Sequence, residues 1–190
     1  MTHDLQVLTQ TEDEFKFFLP FAHEIMDRYG RLLCYINRYQ EKANYPEPRP
    51  KSYNERLLKV GKVSPYFIWP NIDPFKGKTL LKYAVIPPKK ANDLAESDPA
   101  LSLARQLVRD ASQNKIGIFD AEDPLKLQPF EVRFLARKSP PNRWVIDLGK
   151  NDDVLLNPQE YYTIGYIEDR LYIPEVYVPL FIEAVWKLQS

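Results

Sequence analysis

The residue types best suited to chemistry lie in one pentapeptide, Asp27-Arg28-Tyr29-Gly30-Arg31. A carboxylate, two guanidinium groups and a phenol surround a glycine that is able to adopt a left-handed turn. A guanidinium can hold a phosphate through two parallel hydrogen bonds, which a lysine cannot do. The pattern favours contact with a phosphate group, and the alternative is a tight turn whose charges face solvent.

The segment that follows indicates how these side chains are positioned. Residues 32–37 form an apolar run rich in β-forming side chains, which predicts a strand that enters the core. The run contains Cys34, the single cysteine of the chain, which we interpret as a small buried hydrophobic residue. The two arginines are therefore expected at the edge of a sheet.

Two further motifs come next in the chain. Ser52 and Glu55 have the spacing of a capping box, which predicts a helix that begins near Tyr53 and ends at Gly61. Glu55 is accordingly interpreted as a capping partner and not as a catalytic base. Residues 63–71 then form an extended aromatic segment that ends in proline and asparagine.

With these pieces in this order, the chain resembles the staphylococcal nuclease family. That family combines a basic turn of this composition, a strand, a short helix that opens with asparagine and closes with glycine, and an aromatic segment ending in proline-asparagine. The resemblance covers roughly residues 15–120 and is most specific over residues 27–71. It implies an α+β fold built on an OB-fold-like barrel of five strands with flanking helices. It also implies metal-assisted hydrolysis of phosphodiester bonds.

The resemblance assigns roles to four residues. Arg31 matches the catalytic arginine of the family's basic turn, which stabilises charge on the phosphate. Arg28, Tyr29 and Tyr66 match positions that contact the phosphate or the nucleotide.

Each of these roles has a structural alternative. Arg31 is also placed to form a salt bridge with Asp27 or Glu24, and Arg28 to be a solvated surface charge. Tyr66 has the alternative of packing in the core, although stacking of bases on aromatic rings is common in single-strand binding.

Calcium is the cofactor that the resemblance implies. The family's calcium ligands and a second arginine come from strands upstream of the basic turn. Here residues 1–26 contain five acidic side chains and no arginine, so the calcium ligands are not identified in this chain. We therefore expect an N-terminally incomplete domain, which is either a fragment of a nuclease or a shortened relative that kept the scaffold and lost the chemistry.

Composition restricts the classes of partner. The chain has 190 residues with 26 basic and 26 acidic side chains, so its formal net charge is zero and nucleic-acid affinity requires a local basic patch. Two histidines and one cysteine give no recognisable metal-ligand spacing. The sequence contains no apolar run of membrane-spanning length and no signal peptide, so we expect no membrane contact and, for the chain as written, a cytoplasmic location.

Hydrophobic patterning divides the chain into two regions. We predict an incomplete nuclease-like domain at residues 1–121 and a strand-rich α+β extension at 122–190. Periodicity predicts helices at 100–114 and 174–188, the second docking its aromatic face on the preceding strands. Alternation predicts strands at 4–10, 130–135, 143–148, 161–167 and 170–173, with a strand-like run at 78–88.

Two functions follow as hypotheses. The first is a nuclease domain acting on DNA or RNA, preferentially single-stranded, with Arg31 stabilising the phosphate. The alternative is a non-catalytic module that binds nucleic acid or protein and has lost the metal carboxylates. Because an incomplete barrel exposes strand edges, we also expect a homodimer or completion of the barrel by the C-terminal extension.

Overall fold

The computed structural model describes residues 17–18, 26, 30, 32–38, 51–72, 80–124 and 127–189. Helices and short strands alternate in these residues, and the strands form small open sheets. The prediction of an α+β fold is confirmed at this level, whereas the OB-fold-like barrel stays a prediction. The strand predicted at residues 4–10 lies outside the described residues.

The described elements are short, apart from two helices. The strands are β1 (Phe17–Phe18), β2 (Asn37–Arg38), β3 (Phe67–Ile68), β4 (Arg143–Asp147), β5 (Val154–Leu155), β6 (Arg170–Pro174) and β7 (Lys187–Leu188). The α-helices are α1 (Tyr53–Lys59), α2 (Leu81–Ala84), α3 (Ala91–Ser97), α4 (Pro99–Gln113), α5 (Pro129–Arg137) and α6 (Val178–Glu183). Four 3-10 segments cover Gly117–Phe119, Pro158–Thr163, Ile167–Asp169 and Glu175–Tyr177.

The central sheet is built around β6. Strand β3 pairs with it in parallel and β4 in antiparallel orientation, giving the order β3-β6-β4. A bridge between Val145 and Leu156 joins β4 to the segment of β5, and β5 pairs in parallel with β7. Strands β5 and β7 therefore continue the sheet beyond β4, on the side of β4 that faces away from β6.

Alternation along β4 and β6 separates the two faces of this sheet. Ile146, Leu171 and Ile173 point into the larger core cluster, which α2, α3, α6 and the first turn of α4 cover. The fully buried aromatic side chains of this cluster are Trp69 and Phe181, whose ring centroids lie 5.0 Å apart. This surface of the sheet, called the apolar face below, is the main hydrophobic core.

The opposite surface, called the tyrosine face below, is covered by α5. Val145 of β4 and Tyr172 of β6 point to this side, where they pack with Phe130 of α5 and with Ile164. The aromatic rings of Tyr66 and Tyr161 complete the cluster. Tyrosine is thus the common aromatic residue on this side.

Both helices that the sequence predicted most directly are confirmed. Helix α1 has the expected capping box, with the Ser52 N–H donating to Glu55 Oε2 at 2.7 Å and the Glu55 N–H to Ser52 Oγ at 3.2 Å. It is followed by Gly61, whose φ of +60° favours glycine. Helix α4 begins after Asp98, whose carboxylate accepts from two backbone N–H groups of its first turn.

Three segments predicted as strands are wrong, and the strand predicted at 32–37 is confirmed only at its end, where β2 begins at Asn37. Residues 130–135 belong to α5, because Gln128 and Glu131 form a capping box and Phe130 and Phe134 lie one helical turn apart on the buried side. Residues 161–167 are mostly 3-10 helix, and the run at 78–88 contains the short helix α2. Strands at 143–148 and 170–173 are confirmed as β4 and β6.

The C-terminal helix is confirmed in part. It spans only Val178–Glu183 instead of 174–188, and its last turn closes when Trp186 N–H donates to the Phe181 carbonyl. Val185 adopts φ of +70° at this point, which ends the helix and directs the chain into β7. The aromatic side of the helix does pack on the sheet, as predicted.

Both predicted regions contribute to one sheet and one core. Strand β3 comes from the first region and pairs with β6 of the second, and Trp69 packs among residues of the second region. The boundary at residue 121 itself stays a prediction.

Cys34 is half-buried, and burial raises the pKa of its thiol. In the described ranges, no helix is long and apolar enough to cross a membrane.

Candidate functional site

Three of the four predicted site residues lie outside the described residues: Arg28, Tyr29 and Arg31. The turn that contains them is partly described, since Met26 and Leu32 pair as an antiparallel bridge and Gly30 has φ of +77°. The prediction of a left-handed glycine in a turn is therefore confirmed. The phosphate and catalytic roles of these three residues stay predictions.

Tyr66, the fourth predicted residue, lies on the tyrosine face directly before β3. Its ring stacks on Phe130 with 4.9 Å between the centroids, and the ring of Tyr172 is tilted against it at 4.6 Å. The side chain is half-buried. Its ring therefore packs in an aromatic cluster, which was the structural alternative, while its contact with a nucleotide stays a prediction.

The hydroxyl of Tyr66 meets Arg143, the first residue of β4. Arg143 Nη1 donates to the hydroxyl oxygen at 2.6 Å, and the guanidinium carbon lies 5.4 Å from the ring centroid. Burial raises the pKa of Tyr66, and the charges of Arg143 and of Arg133 on α5 oppose that rise. Two guanidinium groups thus act on one half-buried phenol.

Tyr172 lies beneath this pair on β6. Its side chain is 3% exposed, and burial raises the pKa of its hydroxyl. The charge of Arg170 and a contact from its guanidinium oppose this rise, but Arg170 Nε and Nη2 donate their well-formed hydrogen bonds to the Ile164 carbonyl oxygen, at 3.0 and 2.7 Å. The Tyr172 hydroxyl consequently has no hydrogen bond of normal geometry.

Tyr161 closes the other side of the cluster. Its hydroxyl donates to Glu131 Oε1 at 2.5 Å, and the second oxygen of that carboxylate accepts from the Gln128 N–H at 2.6 Å. Burial raises the pKa of Tyr161, and the bond to Glu131 raises it further. The carboxylate of the cluster therefore has both oxygens engaged.

Basic side chains are concentrated around this cluster. Residues 128–144 contain four basic side chains and one acidic side chain, on a chain whose formal net charge is zero. Three of the four basic side chains are exposed and Arg143 is half-buried. We call Tyr66 and these four basic side chains the α5 basic surface. The four basic side chains are those of Arg133, Arg137, Lys138 and Arg143.

A second charged cluster lies where α4 packs on the end of β6. Arg105 is buried, and its Nε and Nη2 donate to Asp169 Oδ1 at 3.1 and 2.7 Å while its Nη1 donates to Glu96 at 2.8 Å. Arg109, one turn later, lies 3.5 Å from Glu168. These guanidinium groups are occupied by carboxylates of the chain, so the cluster fastens α4 to the sheet.

The described residues show no group of three or more His, Cys, Asp or Glu side chains that could hold a metal ion. Calcium binding stays a prediction, and its ligands stay unidentified. Of the predicted residues, the described part of the chain brings only Tyr66 into a cluster of polar groups.

The sequence did not single out the partners of Tyr66. Arg133 was hidden in a segment read as a strand, and Arg143 and Tyr172 lie 77 and 106 positions away from Tyr66 in the sequence. One signal was present, which is the excess of arginine and lysine in residues 133–143 on a chain with no net charge.

Comparison of the chain with protein-family models, with curated proteins and with solved structures gave no match.

Proposed function

We propose that this chain is a module that binds single-stranded nucleic acid, with the α5 basic surface contacting the phosphates. The observation that carries the proposal is the local excess of positive charge around a half-buried tyrosine on an otherwise neutral chain. Phosphate contacts by arginine and lysine supply most of the affinity of sequence-independent binding.

An exposed tyrosine next to the tyrosine face supports the preference for single strands. Tyr162 is 65% exposed and adjoins Tyr161, which packs on α5. Unpaired bases stack on such rings, whereas the bases of a duplex are already stacked on each other.

The α5 basic surface also differs from the other charged cluster in what its cations contact. Arg105 is buried against carboxylates, while Arg133 and Lys138 are exposed and have no ion pair among the described residues. Cations of this kind are available to phosphates of a ligand.

Reversal of single charges tests this function. The affinity of a fluorescein-labelled thymidine oligonucleotide is measured by anisotropy for the wild type, Arg133→Glu and Lys138→Glu. We expect each reversal to weaken binding at least fivefold and to reduce the slope of log K against log salt by about 0.7 per lost phosphate contact.

Lys82→Glu is the matched control, because Lys82 is an exposed lysine on α2, over the apolar face. It changes the net charge of the chain by the same amount and should leave the affinity within twofold of the wild type. Equal weakening in all three variants would mean that only net charge matters and would contradict a defined binding surface.

The pentapeptide at residues 27–31 favours a second candidate function. In it, an OB-fold-like barrel carries out calcium-dependent phosphodiester hydrolysis, and Arg31 stabilises charge on the phosphate while Arg28 and Tyr29 position it. Digestion of single-stranded DNA with added calcium by the wild type and by Arg31→Ala tests this candidate. We expect a loss on the order of a hundredfold, and equal activity of the two proteins would remove Arg31 from the mechanism.

A further inference from the structure

Among the described residues, nothing accepts the hydroxyl proton of Tyr66. Arg143 Nη1 lies 2.6 Å from the hydroxyl oxygen, and a guanidinium can only donate, so the oxygen is the acceptor in this bond. The phenol proton is then available for a second bond. In the described part of the chain, no acceptor contacts Tyr66.

Tyr172 presents the same situation at greater depth. It is 3% exposed, its ring centroid lies 4.6 Å from that of Tyr66, and the charged group that faces it is again a guanidinium, that of Arg170. Its hydroxyl lacks a partner of normal geometry. A buried hydroxyl without a partner is destabilising, so its presence needs an explanation, and a bound ion is one such explanation.

Among the described residues, Glu131 is the one carboxylate of the cluster, and it contacts neither the Tyr66 hydroxyl nor the Tyr172 hydroxyl. Both oxygens of Glu131 already accept hydrogen bonds, from the Tyr161 hydroxyl and from the Gln128 N–H. An acceptor that serves Tyr66 and Tyr172 must therefore come from outside the cluster. Because the guanidinium of Arg143 contacts the Tyr66 hydroxyl, an anionic acceptor is favoured over a neutral one.

We infer that Tyr66, Tyr172 and Arg143 form a subsite for the oxygens of one phosphate group. The inference rests on the proposed function, since a phosphodiester of a bound strand supplies such oxygens. A free phosphate ion supplies the same oxygens. A phosphate has several acceptor oxygens and so can take hydrogen bonds from two phenols and a guanidinium together.

Two probes separate the subsite from the wider function. Inorganic phosphate is titrated into the protein and followed by amide chemical shifts in NMR spectra, and the thymidine oligonucleotide is titrated in parallel by anisotropy. Tyr66→Phe and Tyr172→Phe remove one donor each and keep the ring. We expect each variant to bind phosphate about tenfold more weakly, the usual effect of losing one hydrogen bond to a charged group.

Tyr83→Phe is the control, because Tyr83 is 70% exposed on α2, over the apolar face, and removal of its hydroxyl should change neither affinity. A wild type that binds phosphate but not the oligonucleotide keeps the subsite and removes the proposed function. If Tyr66→Phe and Tyr172→Phe bind the oligonucleotide as tightly as the wild type does, the proposed function stands and the subsite is overturned. The subsite is also overturned if neither probe binds.

Discussion

The two faces of the central sheet differ in whether their buried polar groups are hydrogen-bonded. On the apolar face, the indole N–H groups of Trp69 and Trp186 donate to the carbonyl oxygens of Ala84 and Ile86 at 2.9 and 2.7 Å. On the tyrosine face, the hydroxyl of Tyr172 has no partner of normal geometry although it is equally buried. The same two strands form both faces.

This contrast separates stability from function within one sheet. The apolar face resembles an ordinary protein interior, in which buried polar groups are hydrogen-bonded. In its described residues, the tyrosine face carries guanidinium groups and a buried hydroxyl without a partner of normal geometry, which costs stability and favours an anion. We therefore expect substitutions on the apolar face to change stability alone, and substitutions on the tyrosine face to change stability and binding in opposite directions.

The largest effect is expected from Phe181→Ala on the apolar face. Phe181 is fully buried and packs edge-on against Trp69 and Trp186, so its truncation leaves a cavity in the main core. We expect the free energy of unfolding to fall by about 3 to 5 kcal/mol, measured by urea denaturation. At temperatures where the variant is folded, its oligonucleotide affinity should equal that of the wild type. If the folded variant bound the oligonucleotide more weakly than the wild type, the apolar face would also affect binding, which would contradict the separation of stability from function.

Raising the pH should destabilise the protein through the tyrosine face. Burial raises the pKa of Tyr66 and Tyr172 in the folded state, while unfolded tyrosines titrate near pH 10. The folded state therefore binds the phenol protons more tightly, and this stabilisation is complete below pH 10 and lost as the pH rises above it. The loss is up to about 1.4 kcal/mol per pH unit for each tyrosine.

Urea denaturation between about pH 9 and about pH 11 measures this loss. The double variant with Tyr66→Phe and Tyr172→Phe should lose stability less steeply above pH 10 than the wild type. Parallel curves for the two proteins would show that the two phenols are not perturbed.

Tyr172→Phe should stabilise the protein in the absence of ligand. Removal of a buried hydroxyl without a partner relieves a desolvation cost, so we expect the free energy of unfolding to rise by about 0.5 to 1 kcal/mol. Thermal unfolding in phosphate-free buffer measures it. A loss of stability would show that Arg170 or another group satisfies the hydroxyl, and the contrast between the faces would then disappear.

The smallest effect is expected at the end of α6. Val185 is exposed and adopts φ of +70°, a left-handed conformation that is unfavourable for a β-branched residue and natural for glycine. Val185→Gly should therefore raise the free energy of unfolding by about 0.5 kcal/mol, after the entropy cost of glycine. Unlike Tyr172→Phe, it should leave phosphate affinity unchanged, which makes it the matched stabilising control.

The parts of the fold that follow local rules could be predicted from the sequence. The capping residues Ser52 and Glu55 placed α1, apolar periodicity placed α4, and alternation placed β4 and, although it is less strict there, β6. Alternation misled at residues 130–135, because two phenylalanines four positions apart also fit one side of a helix. The contact between β3 and β6 joins segments that are about a hundred residues apart, and no local pattern contains it.

The candidate site was less predictable than the fold. Tyr66 was identified through a family resemblance, but its hydroxyl accepts a hydrogen bond from Arg143. Arg143 lies 77 positions later in the sequence, and no local pattern links the two residues. Whether the Tyr172 hydroxyl meets an acceptor depends on how the neighbouring elements pack around it. The sequence pattern at residue 172 predicts only that the side chain is buried. Chemistry of this kind emerges only once the strands are paired.

Mapping of amide chemical shifts on addition of the thymidine oligonucleotide locates the surface that binds it. We predict that the perturbed residues are those of α5, the start of β4, and the segment around Tyr66, with α2 and α3 on the apolar face unchanged. Perturbations that concentrate on α2 and α3, or none at saturating oligonucleotide, would contradict it.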